Sequence, residues 1–410
     1  MIYKTETACR SCGSSNLTDL LPFGDTPLAD RLLTEEELEE KEYLVPLTLS
    51  ICGDCSLVQI LETVDPEVLF YSEYPYFSSV SPSLQKHFKG SADYLLETRS
   101  LGPDSLVVEA ASNDGYLLRY FHEEGIPVLG IDPAEAPVKK AREIGIDTMN
   151  TFFTSELAQK LVDSGKKADV FLANNVLAHI PDLNGFVKGI STLLKDDGVA
   201  VIENHYVVDL IDHCEFDTIY HQHVCYYSIT AWRNLFKAHG LYLNRVKRTS
   251  IHGGSLRIYV EKFDAIDESV LELLQMEKER MVDKPDYYLK FADRVTELRS
   301  ELRKILKKLK TEGKTIAGYG AAAKACTLMA YCGIDSSYLD FVADLNVYKH
   351  GKFMGGNRLE ILPPEAVLEK KPDYVLILAW NFADEIIMQM KDFSDAGGKF
   401  VVPVPFPEVR

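Results

Sequence analysis

The sequence contains no run of about eighteen or more apolar residues, which is the length that a membrane-spanning helix needs. Its first residues, MIYKTETACRSCG, have neither the basic nor the apolar segment of a secretory signal. Basic side chains are in the minority, since 44 Lys and Arg stand against 62 Asp and Glu, for a formal net charge of −18. This charge opposes a protein that covers nucleic-acid phosphates. We therefore expect a soluble, cytoplasmic protein with no membrane or nucleic-acid partner and no evident protein partner.

The length of 410 residues predicts two or three domains, because one hydrophobic core rarely grows to that size. Residues 1–66 form an irregular segment with an acidic stretch, LLTEEELEEKEY, that we expect to be a short solvated helix. Residues 67–295 alternate helical stretches with apolar runs of strand length: SLVVEAAS, IPVLGID, ADVFLANN and GVAVIENH. After a long amphipathic segment over 266–311, whose apolar positions recur at helical spacing, residues 296–410 repeat this alternation with KTIAGYG, LDFVADLN, PDYVLILAW and KFVVPVP. Such alternation predicts parallel sheets with crossover helices.

Four of the eight cysteines form two C-x-x-C pairs, Cys9 with Cys12 and Cys52 with Cys55. In a cytosolic chain such pairs indicate a metal before a disulfide. Four thiolates close a tetrahedral zinc site with no open position, which makes the zinc structural; free thiols or a redox pair are the alternatives. We predict an α/β protein with two Rossmann-like doubly wound domains, residues 67–295 and 296–410, and a small N-terminal zinc-binding module, residues 1–66.

The first strand of the middle domain, in VVEAASNDGYLL, ends near Glu109 and leads through small residues into a helix. The dinucleotide fingerprint G-x-G-x-x-G is absent, which favours S-adenosylmethionine over NAD because no pyrophosphate has to approach this turn. The next strand, VLGID, ends on a carboxylate that can accept both ribose hydroxyls. The predicted cofactor-binding residues are Glu109, Asn113, Gly115, Asp132 and Asn174. A generic α/β protein also has Asp or Asn at strand ends, but the order of these features predicts a methyltransferase domain.

The most unusual string is EFDTIYHQHVCYYS, which contains Tyr220, His221, Gln222, His223, Tyr226 and Tyr227. Histidine titrates near neutrality and is suited to removing a proton next to a carbonyl group, while a tyrosine hydroxyl can stabilise the enolate oxygen. Two alternatives stay open. The histidines can be ordinary buried polar residues, or His205, His221 and His223 can bind zinc, for which no carboxylate or cysteine completes the ligand set.

In the third segment, AGYGAAAKA follows a strand and opens a helix, so its backbone N–H groups and its lysine can meet a phosphate. FVADLNVYKHGK adds a strand-end aspartate and two lysines as charge partners of a diphosphate. Strand-to-helix packing and solvated lysines are the alternatives. The candidate substrate-binding residues are Gly318, Gly320, Lys324, Asp344, Lys349 and Lys352, together with Ser255 and Arg257 of HGGSLRIYV.

In this order, the paired C-x-x-C motifs, VEAASNDGYLL, LANNVLAHI, FDTIYHQH, HGGSLRIYV, AGYGAAAKACTLMAYCGI and DYVLILAWN closely resemble the sugar C-methyltransferases of branched deoxysugar biosynthesis. The resemblance covers essentially the whole chain. It implies zinc on the four cysteines, S-adenosylmethionine in the middle domain and a C-terminal domain that recognises a nucleotide-linked sugar. It also implies the substrate class, a 4-keto-deoxysugar often in the dTDP form, methylated at C3.

The resemblance implies a mechanism as well. The 4-keto group acidifies the proton on C3, a base removes it, and the enolate carbon attacks the methyl group of S-adenosylmethionine. His223 matches the family's proposed base, and Tyr220 and His179 match residues beside the sugar that can steady the enolate. Tyr76 and Phe77, in YSEYPYFSSVS, match the lining of the cleft, with a buried loop as the alternative.

The sequence departs from the family at two places. Gln222 stands where glutamate is usual. Its amide cannot act as an acid or base, but we still predict that Gln222 lies in the catalytic site. Glu203-Asn204-His205-Tyr206 stands where E-x-P-Y is usual. These changes favour a different substrate or methylated position. They keep open O- or N-methylation, and epimerisation or isomerisation, of a related sugar nucleotide. A zinc-ribbon module that binds nucleic acid or protein is a further alternative, which the acidic charge opposes.

Overall fold

The computed structural model of the chain describes residues 2–69, 79, 82–249 and 254–410. Tyr76 and Phe77, which the resemblance assigns to the cleft, lie outside the described residues. Within these ranges, no helix is long and apolar enough to cross a membrane. All three predicted segments contain β-structure.

The N-terminal segment is a β-module, in contrast to the irregular segment expected. Its elements are β1 (Tyr3–Thr5), β2 (Leu17–Pro27), β3 (Leu44–Cys52), β4 (Val58–Ile60), β5 (Glu62–Val64) and one helical turn, α1 (Pro66–Leu69). Strands β2, β3 and β4 pair antiparallel in one sheet, and β1 pairs with β5. The acidic stretch forms only a single 3-10 turn, Glu36–Glu39, in which no residue is buried. It has no apolar face that could hold a longer helix against the core.

The middle domain contains a seven-stranded sheet. Its strands are β6 (Val107–Ala110), β7 (Val128–Asp132), β8 (Thr148–Asn150), β9 (Ala168–Asn174), β10 (Leu194–His205), β12 (Tyr242–Thr249) and β13 (Ser255–Glu261). Its helices are α2 (Pro82–Thr98), α3 (Leu118–Glu123), α4 (Glu135–Glu143), α5 (Ser155–Asp163), α6 (Leu183–Leu193), α7 (Val207–Asp212) and α8 (Ile229–Ala238). The strand order is β12-β13-β10-β9-β6-β7-β8, with β6 to β10 parallel and β12 and β13 antiparallel. The four strands predicted in this domain are confirmed as β6, β7, β9 and β10.

This sheet explains where the polar side chains gather. Its parallel strands are covered by helices and are almost wholly buried, so their middle positions are apolar. Polar groups are left at the carboxyl ends, where Glu109, Asp132, Asn174 and His205 lie at or beside the last residue of four strands. In open α/β sheets this edge is the usual place for a ligand.

The C-terminal domain contains a six-stranded sheet. After β13 comes α9 (Glu268–Glu279), which packs against β12 and α8 of the middle domain. The elements that follow are α10 (Pro285–Thr311), β14 (Ile316–Tyr319), α11 (Ala323–Cys332), β15 (Val342–Ala343), β16 (Ile361–Leu362), α12 (Glu365–Lys370), β17 (Tyr374–Ile377), α13 (Ala383–Gln389), α14 (Lys391–Asp395), β18 (Lys399–Val402) and β19 (Glu408–Val409). The strand order is β16-β15-β14-β17-β18-β19, parallel except for β19. The two predicted Rossmann-like units and the N-terminal cysteine module are therefore present.

The long helical segment predicted over 266–311 is two helices. α9 ends at Glu279, and α10 begins at Pro285. Proline fits the first turn of a helix, where its missing N–H costs nothing, but it interrupts a helix interior. α10 then continues without a break through residues 295 and 296, so the domain boundary predicted there falls inside one helix.

The N-terminal module packs against both other domains. β4 pairs with a short strand of the middle domain, β11 (Cys225–Tyr226), which completes the four-stranded order β11-β4-β3-β2. Phe23 lies with its ring centroid 6.4 Å from that of Phe216 and 5.2 Å from that of Tyr331. One buried apolar cluster runs through all three parts of the chain. The module is thus part of a common core.

Candidate functional site

The four paired cysteines come together in the N-terminal module. Their sulfur atoms all lie within 4.8 Å of one another, with Cys9 to Cys55 at 3.4 Å and Cys12 to Cys52 at 3.5 Å. Zinc–sulfur bonds of about 2.3 Å place tetrahedral sulfurs about 3.8 Å apart, so this donor set fits zinc. A hydrogen bond with Cys55 lowers the pKa of Cys9 to about 5, and the same contact raises the pKa of Cys55, so the thiols share protons among themselves. A metal needs these groups as thiolates, so its binding would release the shared protons.

Tight turns and the neighbouring domain hold the two cysteine knuckles in place. Gly13 and Ser56 have left-handed backbones, with φ of 73° and 65°, and donate to the carbonyls of Cys9 and Cys52. Outside the module, the Asn184 amide donates to the carbonyls of Arg10 and Ser11 at 2.8 and 2.9 Å, and the Asn234 amide donates to Cys55 O at 3.1 Å. Both knuckles are therefore also anchored to the middle domain.

The predicted cofactor residues gather at the carboxyl edge of the seven-stranded sheet. The two carboxylate oxygens of Asp132 accept the backbone N–H groups of Asn113 at 2.9 Å and Ala134 at 2.8 Å. The Asn174 amide donates to Glu109 Oε1 at 3.4 Å. Asn113, with φ of 49°, and Gly115, with φ of 77°, turn the chain between strand and helix. The structure thus brings all five predicted residues to one loop cluster.

Glu109 has the most perturbed carboxyl group of this cluster. It is fully buried, and its Oε2 has no hydrogen-bond partner among the described residues. Burial raises its pKa to about 8, although hydrogen bonds from Tyr116 and Asn174 act in the opposite direction. A buried carboxylate oxygen without a donor is costly, so the site fits a ligand that supplies one.

The histidine-rich segment forms a second cluster beside the first. His223 Nδ1 lies 2.9 Å from the carbonyl oxygen of Thr218. A carbonyl only accepts, so Nδ1 carries a proton, and when the ring is neutral its lone pair is on Nε2. That Nε2 accepts from the Tyr220 hydroxyl at 3.1 Å, and the two rings stack with centroids 4.2 Å apart. This arrangement presents Nε2 as a proton acceptor.

Two more histidines face His223. The His179 ring centroid lies 4.8 Å away, and that of His205 lies 5.8 Å away. His179 Nδ1 donates to the carbonyl of Gln222 at 2.7 Å, and burial lowers its pKa, so His179 is a neutral ring with its own lone pair on Nε2. In this tautomer His179 accepts hydrogen bonds from a ligand and does not donate them.

A small cavity opens against this cluster. Two of its lining residues, Asn204 and Thr218, carry polar groups to which the sequence analysis gave no role, and a third, Tyr226, belongs to the histidine-rich string. The buried Oδ1 of Asn204 and the buried hydroxyl of Tyr226 have no hydrogen-bond partner among the residues that the structure describes. The full lining is Ala178, Asn204, His205, Val207, Leu210, Thr218, His223, Cys225 and Tyr226. The strand-end position of Asn204, in IENHY, was the available signal.

The other side chains of the string have different places. His221 is buried and its Nε2 donates to the carbonyl of Pro46 at 2.9 Å, which ties the segment to the N-terminal module. Tyr227 donates to Leu177 O at 2.9 Å. Gln222 is buried, and its amide nitrogen has no partner within the described ranges. Gln222 therefore offers a donor where the family usually has a carboxylate.

The two clusters adjoin each other through neighbouring strands. Asn174 at the end of β9 lies in register with Glu203 of β10, and the backbone N–H of Asn175 donates to Glu203 O at 2.7 Å. Asn204, the next residue, already lines the cavity. A ligand against Asn174 and a ligand against His223 are therefore neighbours.

Arg257 is placed differently from the other predicted substrate residues. Its side chain is 3% exposed and pairs with the fully buried Glu203 at 2.8 Å, while His87 Nε2 lies 2.7 Å from the other oxygen of Glu203. Burial works to raise the pKa of Glu203, but His87 and the charge of Arg257 outweigh it and lower that pKa. Ser255 is buried beside this pair, in register with His205. These contacts use the Arg257 guanidinium for a structural ion pair.

The predicted anion site of the C-terminal domain is also largely occupied by the chain itself. The N–H of Gly320 donates to Ala343 O at 2.7 Å, and the N–H of Ala321 donates to the carboxylate of Asp344. Lys349 donates to the carbonyl of Ala321 at 2.6 Å. A Cβ on Gly320 would lie 2.6 Å from the side chain of Ala379. This geometry supports the strand-to-helix packing alternative.

Gly318, Lys324 and Lys352 complete the predicted set. The N–H of Gly318 donates to Phe341 O at 2.8 Å, within the sheet. The ammonium of Lys324 lies over the ring of Trp380, 4.0 Å from its centroid, and contacts Asn381. Desolvation lowers its pKa, while the nearby carboxylates of Asp217 and Glu215 act in the opposite direction. Lys352 is half-buried, and its N–H donates to Lys349 O at 3.1 Å.

Comparisons with known families cover nearly the whole chain. Three family models match it: "Putative zinc binding domain" over residues 9–70, "Methyltransferase domain" over residues 86–246 and "C-methyltransferase C-terminal domain" over residues 250–405. The C-methyltransferase NovU of Streptomyces niveus is 36% identical over 404 residues, which span 98% of this chain and 96% of that protein.

Two further likenesses each cover less than half of the chain. The ubiquinone biosynthesis O-methyltransferase of Bartonella quintana is 26% identical over 102 residues, 23% of this chain and 39% of that one. The structure of magnesium protoporphyrin IX methyltransferase from Synechocystis is 18% identical, with a TM-score of 0.33, over 43% of this chain and 79% of that one. At that TM-score the structural likeness does not bear on the function of this chain.

Proposed function

The chain belongs to the C-methyltransferase family, and from this membership we propose that it methylates the carbon next to the ketone of a nucleotide-linked keto-deoxysugar. The predicted resemblance to this family is confirmed. The protein is accordingly an S-adenosylmethionine-dependent methyltransferase with a zinc-binding module. The sugar nucleotide, in its dTDP or another form, and the roles of individual residues are our proposal.

The geometry of His223 carries the proposal. Its Nδ1 proton is committed to Thr218 O, so Nε2 is the only ring atom that can take up a proton. A carbon becomes nucleophilic only after it loses a proton, and a ketone makes the proton on the neighbouring carbon acidic enough for an imidazole to remove. A fixed neutral imidazole at a cavity is the group that this step needs.

Tyr220 supplies the complementary group. In the structure its hydroxyl donates to His223 Nε2 at 3.1 Å. When the sugar ring lies against this pair, the hydroxyl turns to the ketone oxygen and stabilises the negative charge that develops there. Neutral His179 accepts a hydrogen bond from a sugar hydroxyl, and the Gln222 amide is a further donor.

The carboxyl edge of the neighbouring strands holds the cofactor in this proposal. S-adenosylmethionine, when bound, supplies an electrophilic methyl group. Glu109 accepts a hydrogen bond with its unpartnered Oε2, Asp132 accepts ribose hydroxyls with its remaining lone pairs, and Asn174 separates the cofactor from the sugar. Glu109 and Asp132 are both buried, which strengthens their hydrogen bonds to a ligand.

The test combines product mass with isotope exchange. The purified protein is incubated with S-adenosylmethionine and a panel of dTDP- and UDP-linked 4-keto-deoxysugars, and the product is examined by mass spectrometry and NMR. A gain of one CH₂ on carbon supports the proposal. In D₂O with S-adenosylhomocysteine in place of the donor, the proton next to the ketone should exchange. A methyl group on oxygen or nitrogen, or an unchanged mass, would overturn the assignment.

A further inference from the structure

The orientation of His223 depends on one short turn. The carbonyl that accepts from its Nδ1 belongs to Thr218, the last residue of the 3-10 turn Phe216–Thr218. If this carbonyl moves, the imidazole rotates with it or takes the other tautomer, and the lone pair leaves Nε2. The contacts that fix the backbone of residues 217–219 therefore also fix the position of His223 Nε2.

The C-terminal domain holds the turn on both sides of that carbonyl. On one side, the indole Nε1 of Trp380 donates to Asp217 Oδ2 at 2.7 Å. On the other side, the hydroxyl of Thr327, on α11, donates to the carbonyl of Ile219 at 2.9 Å. Asp217 is fully buried and Thr327 is 2% exposed, so water cannot replace either contact.

A cation fixes the first of these anchors. Lys324 places its ammonium 4.0 Å from the centroid of the Trp380 ring, and its charge also acts on Asp217. Burial raises the pKa of Asp217 to about 6, and the charge of Lys324 and the indole hydrogen bond oppose this rise. Removing the indole N–H would leave the carboxylate oxygen with one donor fewer in a dry environment.

We infer that Trp380 and Thr327 are positioning residues that set the tautomer and direction of His223 from the C-terminal domain. The inference rests on the proposed role of His223 as base. It gives the C-terminal domain a part in the chemistry that is separate from any contact with a nucleotide. Neither side chain touches the reacting atoms, and both act through the backbone of residues 217–219.

The size of the effect follows from the geometry of proton transfer. A misplacement of about 1 Å at a reacting group costs up to about a hundredfold in rate. Because each anchor is one of two, removal of either should lower kcat about tenfold, a factor that corresponds to about 1.4 kcal/mol. The KM for S-adenosylmethionine should stay unchanged, since the cofactor edge does not depend on this turn.

The experiment uses the full-length protein and three variants of the anchors. Thr327→Val removes the hydroxyl at nearly constant shape, Thr327→Ser restores it, and Trp380→Phe keeps a ring for Lys324 but removes the N–H. Thr296→Val is the matched control, because the Thr296 hydroxyl also donates to a backbone carbonyl, that of Ala292 at 2.9 Å, but on the exposed face of α10. Circular dichroism and thermal unfolding confirm that each variant folds.

Two readouts separate the possible results. ¹⁵N-histidine NMR reports which ring nitrogen of His223 carries the proton, with the signal assigned by its loss in His223→Gln. We expect Thr327→Val and Trp380→Phe to shift this signal and lower kcat, and Thr327→Ser and Thr296→Val to resemble the parent. An unchanged His223 signal in both anchor variants would overturn the positioning role. A shifted signal with unchanged kcat would retain the positioning but refute His223 as the base.

Discussion

The hydroxyl of Tyr220 lies 3.1 Å from Nε2 of His223, and the two rings stack with their centroids 4.2 Å apart. The atom that would take a proton from the substrate therefore already has a hydrogen bond within the protein. A substrate has to break this hydrogen bond, and its ketone oxygen can then accept a hydrogen bond from the Tyr220 hydroxyl. Binding and activation of the base are thus one event.

Replacing His223 with asparagine should lower turnover about 10²- to 10⁴-fold, because a general base contributes a factor of that size. The affinity for S-adenosylhomocysteine, measured by titration, should be unchanged, since Glu109, Asp132 and Asn174 lie at the ends of β6, β7 and β9. His122→Asn, on the exposed side of α3, is the control. Near-normal turnover of His223→Asn would refute its role.

Replacing Tyr220 with phenylalanine removes the proposed donor to the enolate oxygen and leaves the ring stack. Loss of one such donor costs about 10²- to 10³-fold in kcat. The KM for the methyl donor should change little. Tyr43→Phe serves for comparison, because that side chain is 53% exposed. If Tyr220→Phe turns over as fast as Tyr43→Phe, the hydroxyl has no part in the chemistry.

Cofactor binding should depend on pH through Glu109. Burial raises the pKa of this carboxyl to about 8, so it is protonated at neutral pH in the ligand-free protein. A ligand that donates to the ionised carboxylate releases this proton, and its affinity therefore rises as the pH increases toward 8 and levels off above it. Calorimetric titration with S-adenosylhomocysteine at pH 6, 7 and 8.5 measures this.

Glu109→Gln provides the control for that dependence, because the amide is neutral at every pH used. The variant should bind with an affinity that no longer changes with pH. In the parent without ligand, the raised pKa of Glu109 also affects folding. The contribution of this carboxyl group to the free energy of unfolding is fully present below pH 4.5 and is lost as the pH rises through 8. A parent affinity that is constant between pH 6 and 8.5 would contradict the contact.

Replacing Cys52 with serine should lower zinc content and stability together. The four sulfurs lie within 4.8 Å of one another, and a tetrahedral site with three thiolates binds the metal less tightly. Because the metal contributes several kcal/mol to folding, urea unfolding should show a loss of that order. Cys332→Ser, which is buried away from the cluster, should keep its zinc. If metal-free Cys52→Ser were as stable as the parent, the zinc would have no structural role.

Replacing Arg257 with methionine should lower the free energy of unfolding by about 3 to 5 kcal/mol, since the buried carboxylate of Glu203 loses its guanidinium partner and keeps only His87. The double variant Arg257→Met with Glu203→Gln should recover part of the loss. Urea denaturation of the three proteins measures both effects. A normal unfolding curve with weakened sugar-nucleotide binding would instead favour the assignment of Arg257 to the substrate.

The sequence was sufficient where chemistry follows local spacing. The C-x-x-C pairs bring thiols together through single turns, and the ends of parallel strands meet at one edge, so Glu109, Asp132 and Asn174 were expected to be neighbours. The string around His223 stood out because its residues are close along the chain. These predictions needed no knowledge of distant contacts.

The rest depended on pairings between remote residues. Nothing in HGGSLRIYV shows that Arg257 meets Glu203 and His87, because three separate elements converge there. The glycines of AGYGAAAKA are compatible with a bound phosphate and equally with close packing against Ala379. The sequence alone does not show that the residues after β17 lie against Gly320. The β-strands of the N-terminal module were missed because β2, LTDLLPFGDTP, contains glycine and proline, which are unusual inside a strand, and its register with β3 shifts at two places.

The sheet that the N-terminal module shares with the middle domain has a consequence for biosynthesis and for engineering. Strand β4 acquires its outer partner only when Cys225–Tyr226 have been synthesised. The N-terminal module therefore leaves the ribosome first, but its sheet cannot be completed until much of the middle domain has followed. Until then its edge is open to wrong pairing with other chains. For the same reason, a module cut at residue 66 and fused to another enzyme would have an unpaired strand, and exchange between relatives should succeed only when the partner strand moves with it.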